Sequence, residues 1–512
     1  MSNGNSGAQV AVRRNVHTLE TEGPELAAFA RGVAVMQTRP REDPTSWIYQ
    51  ANIHGTRDMD LMRAWDTCQH GSFFFLSWHR MYLYWFERIL REASGEASLA
   101  LPYWNYSVDG QRALPAAFRV PAAPRNPLYV RQRNRDINEG VPLDESEGVF
   151  DRAFRFENFA APRGELSFGG WIVPRPQHFS NGHGQLELQP HNNIHTRIGG
   201  LMSDPFTAAR DPIFWLHHAN IDRLWKRWLD LGGGRDFPPR TGAAAPWWEA
   251  IFVFFDERGE PVQMTGADIV DTVGQLGYRY DDDPEPAPEE RVERVERVEG
   301  RMAKKAAGRA AKAKEKGMAA AQEQPRRAAG VQPRRAAHEQ PRPVAGVQPR
   351  RAVLGKSAGE IMLHGMPVRA PVRMRRGAAL EAASIARADV VEERLRITLN
   401  QVDFERYPSM TYEIYLNAPE GQAPGPRSRY YVANLGFFGL TPPADVSFDI
   451  TSTVAALRES GEWMGEPEVS FIPTLRPAVM AAEADAPMEE MEMEMEMEVE
   501  PVTIGEVTIM AA

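Results

Sequence analysis

The sequence predicts a mainly α-helical N-terminal domain, then a long low-complexity linker, then a small antiparallel β-sandwich domain. Three observations support this order. Aromatic residues with helical spacing are dense up to about residue 277, a charged and repetitive segment follows, and short alternating segments return near residue 392. The length of 512 residues also exceeds what one ordinary hydrophobic core holds. We therefore divide the chain into residues 1–280, 281–385, 386–478 and 479–512.

The first segment contains strong helix patterns. PELAAFARGVAVMQTR, SWHRMYLYWFERILREA and DPIFWLHHANIDRLW are typical of amphipathic or buried helices. Asp211 is a good N-cap for the last of these, and Pro212 suits its first helical position. Residues 109–168 are rich in Pro, Arg and Asn, which indicates loops packed on a helical scaffold.

The linker combines DDDPEPAPEE, RVERVERVEG and repeats around QPRRAA. Such a composition cannot bury enough apolar surface to offset its ordering entropy, so we predict disorder with one helical piece over residues 298–322. The basic stretch 301–351 could contact nucleic acid or acidic lipid. A net charge of −10 and the lack of aromatic residues among the arginines favour a solvated linker and argue against nucleic acid.

Strand patterns dominate the C-terminal region. RLRITLN, MTYEIYLNA, RYYVANLGFFG, VSFDIT and PEVSFIPTL alternate apolar and polar residues and are rich in β-branched or aromatic residues. The tail contains EEMEMEMEMEVE, whose methionine thioethers are soft enough to hold Cu(I). Its low complexity favours the simpler interpretation, a disordered acidic tail.

The sequence also bears on location. It has no apolar run that could serve as a signal peptide and no window of roughly 18 apolar residues that could cross a membrane. The single cysteine, Cys68, excludes an intrachain disulfide, which agrees with a reducing compartment. We expect a cytoplasmic protein without a membrane partner, and a homo-oligomer stays open.

Histidines are placed unevenly along the first segment. HNNIH sets His191 and His195 one helical turn apart, so that both project from one face and can share a metal ion. Glu187 lies just before them. Upstream, a second group comprises His54 in NIHG, His70 in CQHG, and His79 where a strongly apolar helix begins.

The helix DPIFWLHHANIDRLW contributes His217 and His218. Its apolar positions surround both, so periodicity indicates burial and cannot choose between the two imidazoles. A buried imidazole needs a partner for each ring nitrogen, and a metal on one nitrogen with a hydrogen bond on the other satisfies both. All-imidazole ligation favours Cu, Zn, Fe or Ni, and two facing histidine trios suggest a dinuclear redox site.

CQHG, FLSWHRMYLYWFE, PHNNIH and DPIFWLHHANIDRLW together resemble the type 3 copper proteins: tyrosinases, catechol oxidases and plant polyphenol oxidases, with haemocyanins more distant. The resemblance runs from about Arg13 to Tyr280. It implies a four-helix bundle that holds two copper ions. The implied ligands are His54, His70 and His79 (the first trio) for one copper, and His191, His195 and His218 (the second trio) for the other.

The resemblance implies further details. Cys68 matches a cysteine that forms a thioether with a ligand histidine, here His70, although a free buried thiol stays possible. Tyr278-Arg279-Tyr280 resembles a motif that stacks with an N-terminal arginine, here Arg13 or Arg14. The strands after residue 392 resemble the C-terminal domain that covers the active site in latent plant enzymes.

The activity that the resemblance implies is oxidation of small phenols to o-quinones with dioxygen. Glu187 and Asn192 match residues thought to hold a water that deprotonates the phenol, which favours hydroxylation of monophenols. Pro205 stands where many plant members carry a bulky phenylalanine over the second copper, and Phe206 beside it could still cover the pocket. An o-aminophenol or catechol oxidase and a haemocyanin-like dioxygen carrier are the alternatives.

Overall fold

The computed structural model describes residues 10–284, 352–387, 394–421, 424–463, 466–474 and 499–511. Residues 10–281 form a helical N-terminal part, and the described residues of 352–511 form a β-rich C-terminal part, which confirms the predicted order. The charged repeats, the predicted helix over residues 298–322 and the Met/Glu run of the tail lie outside the described residues.

Helices surround the centre of the N-terminal part, with four short strands at its edges. The helices are α1 (Pro24–Thr38), α2 (Trp47–His54), α3 (Phe75–Ser94), α4 (Arg135–Glu139), α5 (Asp151–Phe154), α6 (Asn192–Ile198), α7 (Ile213–Asp230) and α8 (Pro246–Glu249). The strands are β1 (Ala11–Arg13), β2 (Phe252–Phe255), β3 (Pro261–Met264) and β4 (Tyr278–Tyr280). Among the described residues, no helix is both long and apolar enough to cross a membrane.

Helices α3 and α7 pack against each other at the centre of this part. Nearly every side chain in the first half of each helix is buried, so their apolar surface is not confined to one stripe. Helix α7 begins at Ile213, one residue later than predicted. Asp211 still caps it, because its carboxylate accepts a hydrogen bond from the Ile213 N–H at 3.1 Å.

The N-terminal part contains a buried ionic network centred on Asp222. Its carboxylate accepts hydrogen bonds from Arg80 Nε at 2.5 Å and from the Tyr278 and Tyr280 hydroxyls at 2.6 Å each. Arg13 lies 3.6 Å from the centre of the Tyr278 ring, and β1 pairs in parallel with β4. The predicted stacking of an N-terminal arginine on the tyrosine motif is thus confirmed for Arg13.

The C-terminal part is built on antiparallel strands. They are β5 (Ala352–Ser357), β6 (Ile361–Leu363), β7 (Val368–Met374), β8 (Leu395–Asp403), β9 (Tyr412–Leu416), β10 (Tyr431–Leu435), β11 (Ala444–Asp449), β12 (Glu468–Pro473) and β13 (Val502–Ala511). The strand order is β10-β9-β12-β7-β5-β13-β8-β11, with β6 also on β13. Helices α9 (Ala378–Ile385) and α10 (Thr451–Glu459) complete this part.

Two predicted boundaries of the C-terminal part need correction. Strands β5 to β7 and helix α9 occupy residues that we had assigned to the linker 281–385, so the folded part begins near residue 352. Leu354, Leu363 and Val372 are buried in its core, while the intervening charged residues face outward. The last strand, β13, lies between β5 and β8 rather than in a disordered tail 479–512.

Replacing Asp222 with asparagine tests the ionic network. The change leaves Arg13 and Arg80 buried with only Glu87 to neutralise them. We expect Asp222→Asn to lower the free energy of unfolding by about 3–5 kcal/mol, as removal of one partner from a buried ion pair does. Urea unfolding at neutral pH measures this loss. Asp230→Asn is the matched control, since its pair with Lys226 lies on the surface of the same helix.

The difference in unfolding free energy between the native protein and Asp222→Asn should depend on pH through the ionisation of Asp222. Burial by itself would raise the pKa of this carboxyl, but Arg80 and Arg13 outweigh burial and lower the pKa overall. A lowered pKa contributes stability above the ordinary value of about 3.9, and this contribution is lost as the pH falls through the folded pKa. The difference between the native protein and Asp222→Asn should therefore shrink in acid; a constant difference would contradict a charge effect.

Candidate metal centre

The first trio comes from three different elements. His54 is the last residue of α2, and His79 lies in the second turn of α3. His70 lies in an extended segment before α3, where its N–H donates to the His178 carbonyl and its carbonyl accepts from the Ser180 N–H, both at 3.0 Å. All three side chains are buried.

The second trio comes from α6, the residue before it, and α7. His191 directly precedes α6, His195 lies within it, and His218 lies in α7. The His218 ring stacks on the His79 ring with centroids 4.4 Å apart and an interplanar angle of 11°. The two trios are therefore in direct contact through these two rings. The structure brings all six predicted histidines into one buried cluster.

Five of the six imidazoles have their Nδ1 atom fixed by an oxygen acceptor. Such an acceptor places the hydrogen on Nδ1 and leaves a lone pair on Nε2. The contacts are His54 to the Pro205 carbonyl at 2.9 Å, His70 to Glu187 Oε1 at 3.0 Å, His79 to the Phe75 carbonyl at 2.8 Å, His191 to Asn192 Oδ1 at 2.8 Å, and His195 to the Met202 carbonyl at 2.9 Å.

The Nε2 atoms point towards one another in the interior. His54 and His70 face each other with 3.3 Å between their Nε2 atoms, and His195 and His218 do so at 3.1 Å. Two lone pairs at this distance repel unless a cation or a proton lies between them. Nε2 of His79 and of His191 has no hydrogen-bond partner among the described residues. These unpaired acceptors fit metal ions bound by nitrogen.

Protonation to imidazolium does not relieve the repulsion between His54 and His70 at neutral pH. Burial lowers the pKa of all six imidazoles, and for His191 it lowers the pKa to about 3. Neutral imidazole is the form that ligates transition metals. Because the donor set is all nitrogen, it suits copper or zinc and is poorly suited to magnesium or calcium.

His217 also lies inside the cluster. Its ring stacks on His191 at 5.2 Å between centroids, and its ligand atom lies within 4.8 Å of those of the second trio. Neither of its ring nitrogens makes a hydrogen bond to a described residue. His218 differs because it also groups with His54 and His79 of the first trio. It therefore lies between the two trios, whereas His217 touches only the second.

Glu187 is the buried carboxylate of the site, and it contacts the first trio. It accepts hydrogen bonds from His70 Nδ1 at 3.0 Å and from the Gly71 N–H at 3.0 Å. Burial alone would raise the pKa of this carboxyl, but the imidazoles of His183 and His70 lower it overall. His183, buried 3.3 Å from Glu187, is a site residue that the sequence analysis missed. Asn192 instead holds His191.

Cys68 is a buried free thiol in this structure. Its sulfur lies 3.0 Å from Nε2 of His178, and it lies within 4.8 Å of the ligand atoms of His54 and His70. Burial raises the pKa of the thiol well above its ordinary value. The thioether between Cys68 and His70 stays a prediction.

The two predicted gate residues lie beside the first trio. The Pro205 carbonyl accepts from His54, so this residue orients a candidate ligand through its backbone. The Phe206 ring packs edge-on against Phe179 at 5.7 Å, with the Arg57 guanidinium 4.7 Å above it. Pro205 is thus in contact with the first trio, and its place as a gate over the second copper stays a prediction.

The residue that fills the pocket over the second trio comes from the C-terminal part. The Phe438 ring stacks on His195 with centroids 3.6 Å apart and an interplanar angle of 7°, and it lies 5.4 Å from the His191 ring. Sequence analysis did not identify it. The sequence signal for this loop was the motif GFFG, which begins at Gly436. The Cβ of any residue replacing Gly436 would lie 2.7 Å from the Asn192 carbonyl carbon, so only glycine allows the loop to approach this closely.

Hydrogen bonds hold the Phe438 loop in place. Thr196 Oγ1, next to His195, accepts from the N–H groups of Phe437 and Phe438 at 2.9 and 3.3 Å. Each part also contributes a hydrophobic side chain to the core of the other. Phe438 packs in the core of the N-terminal part, and Leu188 packs in the core of the C-terminal part. The loop is therefore an integral piece of both cores.

Family comparisons agree with this geometry. The family model described as the common central domain of tyrosinase matches residues 44–159 and 174–231, which include every histidine of the two trios. The polyphenol oxidase middle domain matches residues 244–293. Residues 350–481 match a model described only as a domain of unknown function, and its start agrees with the corrected boundary of the C-terminal part.

Similar proteins carry related names. A tyrosinase of Hahella is 36% identical over 311 residues, which is 52% of this chain and 62% of that protein. The latent form of polyphenol oxidase from Prunus armeniaca is 33% identical over 50% of this chain and 46% of that protein. The chain thus spans about half the length of the curated relatives that it matches.

The fold is also similar to a solved structure over nearly the whole chain. Latent apple tyrosinase superposes with a TM-score of 0.58 and 20% sequence identity, covering 99% of this chain and 98% of that one. At this identity the likeness shows the fold: a helical core followed by a β-rich C-terminal part. The family models and the relatives thus identify tyrosinase and polyphenol oxidase domains within residues 44–293, of a family that has a dinuclear copper centre, and the likeness to latent apple tyrosinase extends to the fold of the C-terminal part.

Proposed function

We propose that this protein is a copper-dependent oxidase that uses dioxygen to hydroxylate monophenols and to oxidise o-diphenols to o-quinones. The observation that carries the proposal is the pair of facing Nε2 contacts, His54 with His70 and His195 with His218. Each pair can share a cation, and the stacked rings of His79 and His218 bring the two positions together. This is the arrangement that a dinuclear centre requires.

The first trio would hold one copper and the second trio the other. When bound, two copper ions would supply the electrons for reduction of dioxygen and accept electrons from the phenol. The protein supplies a dry pocket and fixed ligands, since the Nδ1 acceptors keep the imidazoles from rotating. The finer architecture, a four-helix bundle with a sandwich-like C-terminal domain, also belongs to this proposal, as do a cytoplasmic location and homo-oligomerisation.

The position of Phe438 supports an aromatic substrate. A flat ring fits between the imidazoles of the second trio, and a phenyl side chain already stacks on His195 there. A phenol has the same ring with one added oxygen, which would reach towards the copper side of the pocket. The C-terminal part therefore occupies the proposed substrate position, and we propose that the protein is latent until this part is displaced.

Asn192 and Glu187 support monophenol hydroxylation. A phenol has a pKa near 10, so it needs a proton acceptor to bind as phenolate at neutral pH. Asn192 Nδ2 is buried without an acceptor among the described residues, so it can hold a water or a phenol oxygen. Glu187 is ionised and lies one hydrogen bond from His70. A catechol or o-aminophenol oxidase is the alternative.

The two neighbouring histidines of α7 give a direct test of copper ligation. His218→Ala removes a nitrogen that faces His195 and should cost about half of the bound copper and nearly all oxidase activity. His217→Ala should retain most of the copper, because His191, His195 and His218 remain to hold the second ion. The measurement is the copper content of each purified, copper-loaded variant. Equal copper loss in both variants would reject His218 as the distinguishing ligand.

Removing the Phe438 ring tests latency without proteolysis. Phe438→Ala should raise catechol oxidation several-fold, because the substrate position becomes free while the hydrogen bonds to Thr196 involve only the backbone. Leu380→Ala is the matched control, since this side chain is exposed on the C-terminal part. Oxygen uptake at equal copper content measures the effect.

Release of the whole C-terminal part gives an independent measurement. A protease site engineered within residues 285–351 separates the two parts, whereas a cut within 352–385 would divide the sheet itself. Cleavage followed by removal of the C-terminal part should raise activity at least as much as Phe438→Ala. An unchanged rate in both experiments would contradict latency.

Substitution of Asn192 separates the two phenolic activities. Asn192→Ala should lower oxygen uptake with tyrosine several-fold more than uptake with catechol, because only the monophenol has to be deprotonated before it is hydroxylated. The measurement is the ratio of the two rates in protein activated by removal of the C-terminal part. Parallel losses would show that Asn192 acts only by orienting His191.

A further inference from the structure

A small cavity, lined by no histidine, lies where the C-terminal part meets the N-terminal part. Its wall on the N-terminal side includes Arg152 and Arg155 of the α5 region, and its opposite wall includes Val432, Phe448 and Asp449. The free space is about that of one or two water molecules. It is therefore too small for a phenol or any comparable organic molecule.

Arg152 crosses this boundary without an acidic partner. Its guanidinium donates to the Tyr431 carbonyl, to Thr453 Oγ1 at 3.3 Å and to the Asp449 carbonyl at 3.4 Å, all neutral oxygens of the C-terminal part. No carboxylate of a described residue lies within 4 Å of it. Burial and the neighbouring Arg155 lower its pKa to about 10. Its positive charge is thus poorly compensated.

The other charges around the cavity do not supply the missing anion. Arg155 bonds Ser452 Oγ at 2.5 Å, and among the described residues it too lacks a carboxylate within 4 Å. The Asp449 carboxylate is occupied by Arg394 at 2.8 Å and by the Thr451 N–H at 2.7 Å. The cavity is therefore lined by two arginines, the partly buried Arg152 and the exposed Arg155, and the Asp449 carboxylate in its wall is paired with Arg394.

We propose that this cavity binds a small monovalent anion of halide size, held by the guanidinium groups of Arg152 and Arg155. Charge selects an anion, and the small free space excludes phosphate esters, phenolic acids and other larger anions. The donors available are Arg152 Nε and Arg155 Nε and Nη2, which donate to no protein atom among the described residues. An ion here would contact both parts of the molecule and tighten their association.

The effect on activity rests on the proposed latency, whereas anion binding does not. An anion that links Arg152 to the C-terminal part should slow displacement of the Phe438 loop, so that halide at a given ionic strength keeps the protein latent for longer. Gluconate is too large for the cavity, so it should not prolong latency.

Bromide is the probe, and the full-length copper-loaded protein is used. Crystals soaked in sodium bromide should show an anomalous peak between Arg152 and Arg155. In solution, bromide should raise the unfolding temperature in a saturable manner relative to sodium gluconate at equal ionic strength. Arg155→Gln, which leaves the Arg152 contacts in place, should abolish the saturable rise. Arg427→Gln is the control, since its pair with Glu145 spans the same boundary on the surface.

The outcomes separate this site from the proposed function. No anomalous peak at the cavity, or an equal bromide response in Arg155→Gln and the native protein, overturns the proposal, even if Phe438→Ala activates the enzyme. A peak together with a response lost in Arg155→Gln supports it, even if removal of the C-terminal part leaves activity unchanged. Bromide bound at copper would appear at the histidine cluster and persist in Arg155→Gln.

Discussion

The N-terminal part depends on one constraint: buried neutral imidazoles must keep their Nδ1 hydrogens turned outward and their Nε2 lone pairs turned inward. Most of the acceptors that enforce this lie outside the ligand helices. The carbonyls of Pro205 and Met202 come from the segment between α6 and α7, and Glu187 precedes α6. The loops that look irregular in sequence therefore fix the geometry of the site, while α3 and α7 supply the rigid wall behind it.

Apolar periodicity could predict the helices, and the resemblance to type 3 copper proteins could name the six histidines, because both depend on local sequence. Periodicity alone could not choose between His217 and His218, since α7 is buried on every side at that level and both rings enter the cluster. His183 was missed because its contact with Glu187 depends on how an irregular segment folds back. Phe438 was missed because it acts from a different part of the chain, within a loop that otherwise resembles an ordinary turn.

The limits of the C-terminal part were misjudged for a compositional reason. Residues 352–374 carry many Arg, Gly and Pro residues, so they look like a continuation of the linker, yet Leu354 and Val372 alternate inward and are fully buried. Strand β13 was hidden by the Met/Glu run before it. In both places the signal was a short alternation beside low-complexity sequence, and average composition over a longer window conceals such a signal.

The central position of β13 also has a consequence for the order of events during synthesis. Strand β13 hydrogen-bonds to β5, β6 and β8, so the sheet lacks a middle strand until residues 502–511 have left the ribosome. The last histidine of the two trios, His218, lies more than two hundred residues before Phe438 in the chain. During synthesis the six histidines therefore leave the ribosome before the ring that stacks on His195. That interval gives a metal ion access to a pocket that the finished molecule keeps closed.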